Sequence, residues 1–449
     1  MANIYKIKKG LDLKLIGEAE KVVGEYKPAA YAVKPVDFSG ILPRLAVKEG
    51  DQVKAGSILF VDKHHEKIAF TSPVAGTISE IMRGPKRMLL EIRIKKAQQD
   101  DFEVFETKHP SKLSAEEIKD ILLRSGVWPG IRQRPYAVIA DPEKEPKAIH
   151  ISCFDSAPLA PDYDLIVHGH GEEFQTGLDA LSKLTKGKIH LNVRTGEGVS
   201  KVFLSSKGIQ INYFEGPHPS GNPGIQIHHI DPVNKGEVVW YLRPQDVLTI
   251  GRLFLEGRYN PQKMIALTGG GIKNPKYYKT ISGAVLDELL ASQLKEGNYR
   301  IISGNVLTGS NIGRNGFLGY YDSQVTVIKE GDYYEFLGWM SPGLNKLSAS
   351  RAFISRMFPN KKFDPDTNLH GGERPFVLSG QYEKVLPMDI YPVYLLKAIL
   401  AQNIDKMEQL GIYEVAEEDF ALCEFVCASK IEVQAILRKG LDMMQKEMS

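Results

Sequence analysis

Cysteine is scarce in this sequence: Cys153, Cys423 and Cys427 are the only three among its 449 residues. Three thiols cannot form the dense disulfide framework of small secreted proteins, so the composition favours a reducing compartment. An iron–sulfur cubane held in the ordinary way needs four thiolates, and this chain alone does not supply them. Cys423 and Cys427 stand four apart, which would place both on one face of a helix, and we expect all three thiols to be buried and structural.

Long apolar runs and an excess of one charge sign are also missing. No run approaches the roughly 20 residues of a membrane-spanning helix, and residues 1–6 lack the apolar core of a secretory signal. Lysine and arginine number 57 against 55 acidic residues, and the basic clusters at 83–87 and 132–134 are short. The sequence therefore predicts a cytoplasmic protein with several domains that does not bind nucleic acid and reaches a membrane only through a partner.

Turns and short apolar strands alternate over residues 34–94 in the pattern of biotinyl and lipoyl carrier domains. Gly50 and Gly56 supply backbone freedom at two tight turns of this flattened β-barrel. The hairpin at 61–67 would present Lys63, the one sensible attachment site for a covalent cofactor, but two histidines and a glutamate crowd it. We expect a carrier-like scaffold used for packing or docking, and a covalent carrier at Lys63 is the alternative.

The next part of the chain has the signature of an α/β layer. Ser114 and Glu117 form a capping box that predicts the start of a helix. Apolar runs that predict strands follow at 136–140, 148–154, 165–167 and 188–193, with a helix between the last two that carries Phe174, Leu178, Leu181 and Leu184 on one face. The glycine- and proline-rich loop 216–224 then interrupts regular structure, and 225–230 is predicted to resume as a strand.

A third unit, predicted as a small α+β module, begins near residue 259. Its pattern is a strand at 263–268, a turn at Gly269–Gly271, a second strand and a helix that ends near 290. The glycines do not fit a dinucleotide fingerprint because Asn274 precedes a proline, which blocks helical geometry, so a tight turn is predicted. Residues 324–335 predict a hairpin, and helical spacing after residue 430 predicts a small C-terminal helical bundle.

Histidine is frequent, but its spacing does not predict a metal site. Adjacent residues on a strand point to opposite faces, so His228 and His229 could not share one metal there, and no paired metal-binding motif accompanies them. Residues 168–173, which include His168 and His170, lie where a strand meets a helix, the usual ligand edge of an α/β sheet. The alternative is a flexible capping turn.

Six groups of short stretches, spread in order over the whole chain, carry a resemblance to a known family. They lie at 7–13; 216–221 with 227–228 and 231–233; 241–254; 302–309; 336–339 with 341–343; and 419–427. In this order and over this length the stretches are highly specific. The chain resembles the NqrA family, one of the subunit families of the sodium-translocating NADH:quinone reductases, which are respiratory complexes of some bacteria.

The resemblance implies a function. Members of this family are peripheral subunits of a translocase that couples NADH oxidation and ubiquinone reduction to sodium export, and the isolated subunit is not expected to be catalytic. The chain would lie on the cytoplasmic face of the cell membrane and dock on other subunits, notably a membrane-embedded one. NADH, the flavins and the iron–sulfur centre would belong to those partners, this chain would hold no tight cofactor or metal, and quinone would be the substrate. A related Rnf-type iron–sulfur electron-transfer subunit is the disfavoured alternative, because Cys423 and Cys427 would be remnants of a cluster motif whose other ligands are absent.

The resemblance also implies a fold related to the flavin-binding subunit of the larger NADH dehydrogenases, of mixed α+β and α/β class. We expect four domains. They are a carrier-like barrel-sandwich hybrid at 1–105, a Rossmann-like α/β domain at 106–257, a ubiquitin-like SLBB-type module with a hairpin at 258–345, and a helical domain at 346–449.

The family implies no defined set of catalytic residues. We therefore choose candidate quinone-binding residues by the chemistry that a quinone requires of its site. A quinone needs an apolar slot and one or two donors at its carbonyl oxygens, because an unpaired carbonyl in a dry pocket costs about 1 to 3 kcal/mol. The candidates are Phe38, Arg44, Arg134, Tyr136 and His218. The rings would hold the headgroup while an arginine donates; the alternative is that the rings are core, the arginines lie at the surface and His218 is an inter-domain contact.

Overall fold

The computed structural model describes residues 3–338, 340–349 and 353–448, and only the backbone of Arg356. Trp339, which belongs to one of the matching stretches, lies outside these residues. The described chain contains sheets of seven, six, four and three strands together with helices, which confirms the predicted multidomain α/β class. No helix in these ranges is both long and apolar enough to cross a membrane.

Strands and helices are numbered in chain order. The strands are β1 Asn3–Lys6, β2 Glu20–Glu25, β3 Ala30–Val33, β4 Pro43–Leu45, β5 Gln52–Val53, β6 Ile58–Asp62, β7 Ala69–Thr71, β8 Gly76–Arg83, β9 Leu89–Lys96, β10 Arg132–Arg134, β11 Val138–Ile139, β12 Ala148–Ser152, β13 Lys188–Arg194, β14 Gln210–Glu215, β15 Val239–Leu242, β16 Gln262–Thr268, β17 Lys276–Ile281, β18 Tyr299–Ser303, β19 Ser310–Asn311 and β20 Gln324–Lys329. The α-helices are α1 Ala115–Ser125, α2 Tyr163–Ile166, α3 Gly171–Ser182, α4 Lys201–Leu204, α5 Pro223–Ile230, α6 Pro244–Glu256, α7 Asp287–Gln293, α8 Tyr382–Val385, α9 Pro392–Leu400, α10 Ile404–Gln409, α11 Ala421–Phe425 and α12 Val433–Met448. Short 3-10 turns lie at Pro35–Asp37, Pro85–Arg87, Pro110–Lys112, Trp128–Gly130, Ile354–Met357, Ile412–Glu414 and Glu417–Phe420.

The carrier-like unit is built from two small antiparallel sheets. One has the order β3-β9-β8-β5 and the other β4-β6-β7. Leu59, Phe60, Ile92 and Ile94 are fully buried in the core of this unit, and Ile92 and Ile94 alternate along β9 so that both side chains face this core. The β6–β7 hairpin forms as predicted, and Lys63 stands exposed in its turn.

The α/β unit has the strand order β1-β14-β13-β12-β15-β10-β11. The first five of these strands pair in parallel. Strand β10 then pairs antiparallel with β15, and β11 pairs antiparallel with β10, so the sheet is mixed. The predicted capping box opens α1: the Ser114 hydroxyl accepts from the Glu117 N–H at 3.3 Å, and the Glu117 carboxylate accepts from the Ser114 N–H at 2.8 Å. Helix α3 carries the predicted apolar face and packs against α6.

Two strand predictions in this unit are wrong. Residues 225–230 belong to α5, where Pro223 occupies the first turn and fixes a helical φ without needing an N–H partner. Isoleucine alternates with polar residues in this stretch, which is the pattern of a strand with one buried face. Residues 223–227 are all buried, however, so the alternation does not separate a buried face from an exposed one. Residues 165–166 end α2 and Val167 is its C-cap; the Asp162 carboxylate begins this helix by accepting from the N–H groups of Asp164 and Leu165.

The third unit is a six-stranded sheet with the order β19-β18-β20-β16-β17-β2. The turn at Gly269–Gly271 joins β16 to the antiparallel β17 as predicted, and Gly269 has φ of +103°. The hairpin predicted at 324–335 does not form in the described residues. Strand β20 is flanked by β18 on one side and β16 on the other, so no edge is left for a returning strand.

The first 25 residues do not stay within one unit. Strand β1 pairs with β14 in the seven-stranded sheet, and β2 pairs with β17 in the six-stranded sheet. The chain enters the carrier-like sheets only at β3. The domain boundaries given above remain a prediction, with the N-terminal strands shared among neighbouring sheets.

The C-terminal helices form a separate apolar core that rests on the α/β unit. Leu395, Leu437, Leu441 and Met444 are fully buried in it. Gly440 allows α12 to approach α9 closely, because a Cβ there would lie 2.7 Å from the side chain of Ile399. The predicted helical bundle is thereby confirmed, and its last helix packs against α9.

We predict that Leu437→Ala loosens this core, while Lys439→Ala does not. Leu437 is fully buried, and removing a buried leucine side chain costs about 2 to 5 kcal/mol. Lys439 is exposed on the same helix, where substitutions stay within about 0.5 kcal/mol. Hydrogen exchange of peptides from α9 and α12 measures the difference. Equal exchange in the two variants would refute this packing.

Candidate functional site

A recess opens where the carrier-like, α/β and six-stranded units meet. Its lining includes Lys34, Phe38, Phe70, Pro129, Tyr259, Ser282 and Tyr320. Each unit supplies part of the wall, so no unit forms the recess alone. The recess holds little free space as it stands, and a ligand larger than a few atoms would enter only if lining side chains moved aside.

Phe38 lies at the centre of an aromatic cluster along this recess. Its ring centroid is 4.6 Å from that of Phe70, 4.8 Å from Tyr320 and 5.8 Å from Tyr321. The ring is buried, with 4% of its residue surface exposed. Edge and tilted contacts at these distances are among the arrangements that aromatic side chains prefer.

Lys34 brings a cation to the recess. Its ammonium lies 3.3 Å from the carboxylate of Asp37 and donates to the Phe317 carbonyl at 3.3 Å. An ammonium has three donors, so one remains without a partner among the described residues. Burial raises the pKa of Asp37, and the nearby charge of Lys34 limits that rise. The recess therefore combines aromatic walls with one available donor.

A second, smaller recess adjoins the first and shares Tyr259, Ser282 and Tyr320 with it. Lys263 lines it, and its ammonium donates to the Tyr320 carbonyl. Burial lowers the pKa of Lys263 against the pull of Asp246. Burial raises the pKa of both the Tyr259 and the Tyr320 hydroxyl, so both stay protonated. Sequence reasoning missed these residues, because only the tertiary fold brings them to Phe38.

Arg134 lies in a different place, in a fully buried ionic cluster. Its Nη1 donates to Asp419 Oδ2 at 2.9 Å and to the Glu414 carbonyl at 3.1 Å, and its Nη2 donates to Glu418 at 3.3 Å. Both Arg134 and the Asp419 side chain are wholly enclosed. Desolvation works against the charge of Arg134, but Asp419, Tyr241 and Glu418 together outweigh it and raise the pKa of the guanidinium. Burial raises the pKa of Asp419 to about 6. The Arg134 Nε and the Asp419 Oδ1 have no hydrogen-bond partner within the described chain.

Tyr136 follows β10 but does not line the recess. Its ring meets that of Tyr413 edge-on at 6.2 Å, and its backbone carbonyl accepts from Arg438 Nη1 at 2.9 Å. The ring is half-buried, and burial raises the pKa of Tyr136 to about 12. Its contacts are with the C-terminal helical unit.

His218 is buried in the loop 216–224 beside the ionic cluster. Its Nδ1 lies 3.0 Å from the Ser156 hydroxyl, and its backbone N–H donates to Asp12 Oδ1 at 2.8 Å. Burial lowers the pKa of His218, so the imidazole is neutral at pH 7. The loop thereby connects the N-terminal segment, the α/β sheet and, through Asn222 to the Glu418 carbonyl at 2.9 Å, the C-terminal unit.

Arg44 lies at the surface of β4. About half of its side chain is exposed, and it forms an ion pair with Glu66 at 2.5 Å. It does not line the recess with Phe38. Of the five predicted residues, the structure brings only Phe38 to the recess, while Arg134 and His218 lie in or beside the ionic cluster.

The histidine and cysteine predictions have mixed outcomes. Within the described residues no group of three or more histidine, cysteine, aspartate or glutamate side chains could hold a metal. His228 and His229 lie on a helix, so the prediction that they occupy opposite faces of a strand is wrong; His228 binds Glu414 at 2.7 Å and His229 binds the Pro387 carbonyl at 2.9 Å. All three cysteines are free and buried as predicted. Helix α11 ends at Phe425, so Cys423 and Cys427 do not share a helical face.

Residues 168–173 form the capping turn of α3. His170 occupies the N-cap position, and its Nδ1 lies 2.9 Å from Glu173 Oε1. His168 is exposed. The geometry of this stretch is therefore that of a capping turn, which was the alternative to a ligand site.

Three domain models of one protein family match the chain. They are described as the NqrA N-terminal barrel-sandwich hybrid domain, at residues 5–97, the NqrA second alpha/beta domain, at 113–259, and the NQRA C-terminal domain, at 264–313. The NqrA subunit of the Na(+)-translocating NADH-quinone reductase of Pseudomonas aeruginosa PAO1 is 40% identical over 448 residues, which cover 99% of this chain and 100% of that protein. The same subunits from Pasteurella multocida and Vibrio parahaemolyticus are 39% and 40% identical, and each match covers 98% of this chain and 99% of the relative.

A solved NAD+-reducing NiFe hydrogenase chain in the air-oxidized state matches with a TM-score of 0.37 and 9% identity. The match covers 74% of this chain and 63% of that chain. A similarity at that level supports no conclusion about fold or function.

We predict that Arg134→Met lowers the free energy of unfolding by about 3 to 5 kcal/mol, because it leaves the Asp419 carboxylate buried without its cation. Adding Asp419→Asn to the same chain removes the orphaned charge and restores part of the loss. Arg44→Met is the control, since an exposed ion pair contributes at most about 1 kcal/mol. Denaturant unfolding of the four proteins measures this. Equal costs for the two arginine variants would contradict the assigned burial.

Proposed function

Because the chain belongs to the NqrA family of subunits of the Na+-translocating NADH-quinone reductases, we propose that it acts in such a complex by contributing to quinone binding. It docks on the cytoplasmic face of the membrane through other subunits, notably a membrane-embedded one. The NADH site, the flavins and the iron–sulfur centre belong to those partners, and this chain holds no prosthetic group of its own. The complex couples quinone reduction to sodium export.

The recess beside Phe38 is the proposed quinone contact. The observation that carries the proposal is the coexistence of an aromatic wall and the Lys34 ammonium in one recess. A quinone headgroup is flat and apolar with two carbonyl oxygens, so a ring on its face and one donor at an oxygen satisfy both demands. The spare donor of Lys34 meets one carbonyl, which would otherwise be left unpaired at a cost of about 1 to 3 kcal/mol.

Entry of the headgroup requires movement of the lining side chains, since the recess is narrow. Tyr320 is the side chain best placed to move. Its ring packs on Phe38 at 4.8 Å, and displacing it makes room on the face of Phe38 without disturbing a strand. Arg44, Arg134, Tyr136 and His218 do not line this recess, and their quinone contacts remain predictions.

We predict that a short-tail quinone binds the isolated chain saturably and that Phe38→Leu weakens binding about three- to tenfold. The estimate corresponds to loss of one aromatic contact. Quenching of the fluorescence of Trp128 measures it, because the neighbouring Pro129 lines the recess. Phe60→Leu is the matched control: Phe60 is fully buried in the same unit and stacks on Phe70 at 4.3 Å, but it does not line the recess.

Two results would count against this assignment. If the wild-type chain shows no saturable binding, the direct quinone contact is wrong for the isolated subunit. If Phe38→Leu binds as tightly as Phe60→Leu while Arg44→Ala or Tyr136→Leu loses binding, the quinone lies at another of the predicted residues.

The absence of a prosthetic group is tested separately. We expect protein purified from native cells to lack flavin absorbance, to release no FMN on denaturation and to have the intact mass of the unmodified chain. A mass increase mapped to Lys63 would favour the covalent carrier alternative. Iron recovered with anaerobically prepared protein would favour the iron–sulfur alternative that uses Cys423 and Cys427.

A further inference from the structure

Two buried lysines lie where the three units meet, one at each recess. Lys34 and Lys263 are both 9% exposed, although lysine is almost never fully buried without a partner. Lys34 lines the first recess together with Asp37. Lys263, the second residue of β16, lines the adjoining recess together with Asp246. Buried lysines beside carboxylates are frequent at functional sites, because their surroundings tune how readily they release a proton.

The backbone of Tyr320 connects the two lysines. Its N–H donates to Asp37 Oδ2 at 2.8 Å, while its carbonyl accepts from the Lys263 ammonium. The other oxygen of Asp37 lies 3.3 Å from the Lys34 ammonium. The Tyr320 ring lines both recesses, with the ring of Phe38 4.8 Å from its centroid and the Lys263 ammonium 5.5 Å from it. The two ammonium groups therefore lie on either side of one residue.

Each ammonium has one N–H bond left for a ligand. Lys263 donates to the Tyr320 carbonyl and, at 3.5 Å, to the Asp322 carbonyl, and the described part of the chain offers it no other hydrogen-bond acceptor. Lys34 is bonded to Asp37 and to the Phe317 carbonyl. An ammonium has three donors, so one remains on each lysine. A quinone has two carbonyl oxygens, and the number of spare donors matches them.

We propose that Lys34 and Lys263 each donate to one carbonyl oxygen of the quinone and deliver to it the proton that reduction requires. This inference rests on the proposed quinone contact and extends it, since it adds Lys263 and assigns a chemical step to both lysines. Displacement of the Tyr320 ring, which lines both recesses, makes room for the headgroup between them.

The step balances with the electrons that the reductase provides. NADH supplies two electrons through the partner subunits. At each carbonyl oxygen an O–H bond forms as an N–H bond of the lysine breaks, and a neutral amine remains. The amines regain protons from water, Lys34 through Asp37 and Lys263 through Asp246, because both carboxylates lie at partly exposed residues. In sum, NADH, one proton and quinone give NAD+ and quinol.

The surroundings of Lys263 suit a proton donor. Burial lowers the pKa of Lys263, so its ammonium is a stronger acid than that of a lysine in water. The charged groups that face it are Asp246 on α6, Asp37 in the turn after β3, Asp322 before β20 and Arg132 on β10. The three carboxylates favour the ammonium, whereas Arg132 opposes it. An acid whose pKa lies closer to the operating pH transfers its proton more readily.

The test separates quinone binding from proton delivery. Lys263→Arg keeps a positive charge and a donor, but a guanidinium does not release its proton in proteins. We expect the isolated variant to bind a short-tail quinone as the wild type does. In the pre-reduced reductase complex, its single-turnover rate of quinol formation should fall about a hundredfold, the contribution of one general acid. Lys34→Arg should behave alike. Lys273→Arg is the control, because it makes the same substitution at an exposed lysine of the same unit.

The pH dependence of quinol formation gives a second measurement. The wild-type rate should fall as the pH rises through the pKa of Lys263, because the neutral amine has no proton to give. Asp246→Asn removes a charge that favours the ammonium, so this fall should begin at a lower pH. The asparagine oxygen can still accept from the Arg243 N–H, which donates to Asp246 Oδ2 at 3.0 Å, so the start of α6 is retained. A purely structural role of Lys263 would leave the pH profile unchanged.

Two outcomes would overturn the proposal while leaving the quinone contact in place. The first is a Lys263→Arg variant that binds quinone and forms quinol as fast as Lys273→Arg. The second is an Asp246→Asn variant with the wild-type pH profile, and this result decides the matter if circular dichroism shows that Lys263→Arg does not fold. A wild-type chain that binds no quinone would refute the contact itself and the proton transfer with it.

Discussion

The buried ion pair of Arg134 and Asp419 is the contact on which the arrangement of the C-terminal half depends. It joins β10 of the α/β sheet to the turn that precedes α11. A lone charge in a dry interior costs several kcal/mol, so neither residue can be buried unless the other is in place. Around the pair, the guanidinium of Arg132 lies 4.6 Å from the rings of both Tyr241 and Tyr321, which adds favourable cation–π contacts. The cluster therefore fixes how the helical unit sits on the sheet.

The recess beside Phe38 depends in the same way on more than one part of the chain. Lys34 and Phe38 come from the carrier-like unit, Pro129 from the α/β unit, and Tyr259 and Tyr320 from the six-stranded unit. Any relative movement of these units would change its width. A ligand bound there would in turn favour one arrangement of the units, since it can shift an equilibrium by as much as its affinity differs between the two arrangements.

Local signals in the sequence predicted local structure well. The capping box of Ser114, the apolar stripe of the last helix and the glycine turn at 269–271 each depend on neighbours within a few residues. Prediction failed where tertiary contacts determine the secondary structure. The strand predicted at 225–230 is helix α5, which is buried from its first residue, and the hairpin predicted at 324–335 does not form in the described residues because β20 is enclosed by strands that come earlier in the chain. The candidate site followed the same rule. Phe38 was found as an aromatic residue near a basic one, but Tyr259, Lys263 and Tyr320 are brought to it only by folding, and no spacing in the sequence indicates this.

The sharing of the N-terminal strands between sheets has a consequence for synthesis on the ribosome. Strand β1 needs β14, which ends at Glu215, and β2 needs β17, which ends at Ile281. Strand β1 must therefore wait, unpaired, until nearly half of the polypeptide has been translated, and β2 until more than half has been. The carrier-like sheets from β3 onward close without them, so the nascent chain gains its first compact unit while its own leading end still lacks partners.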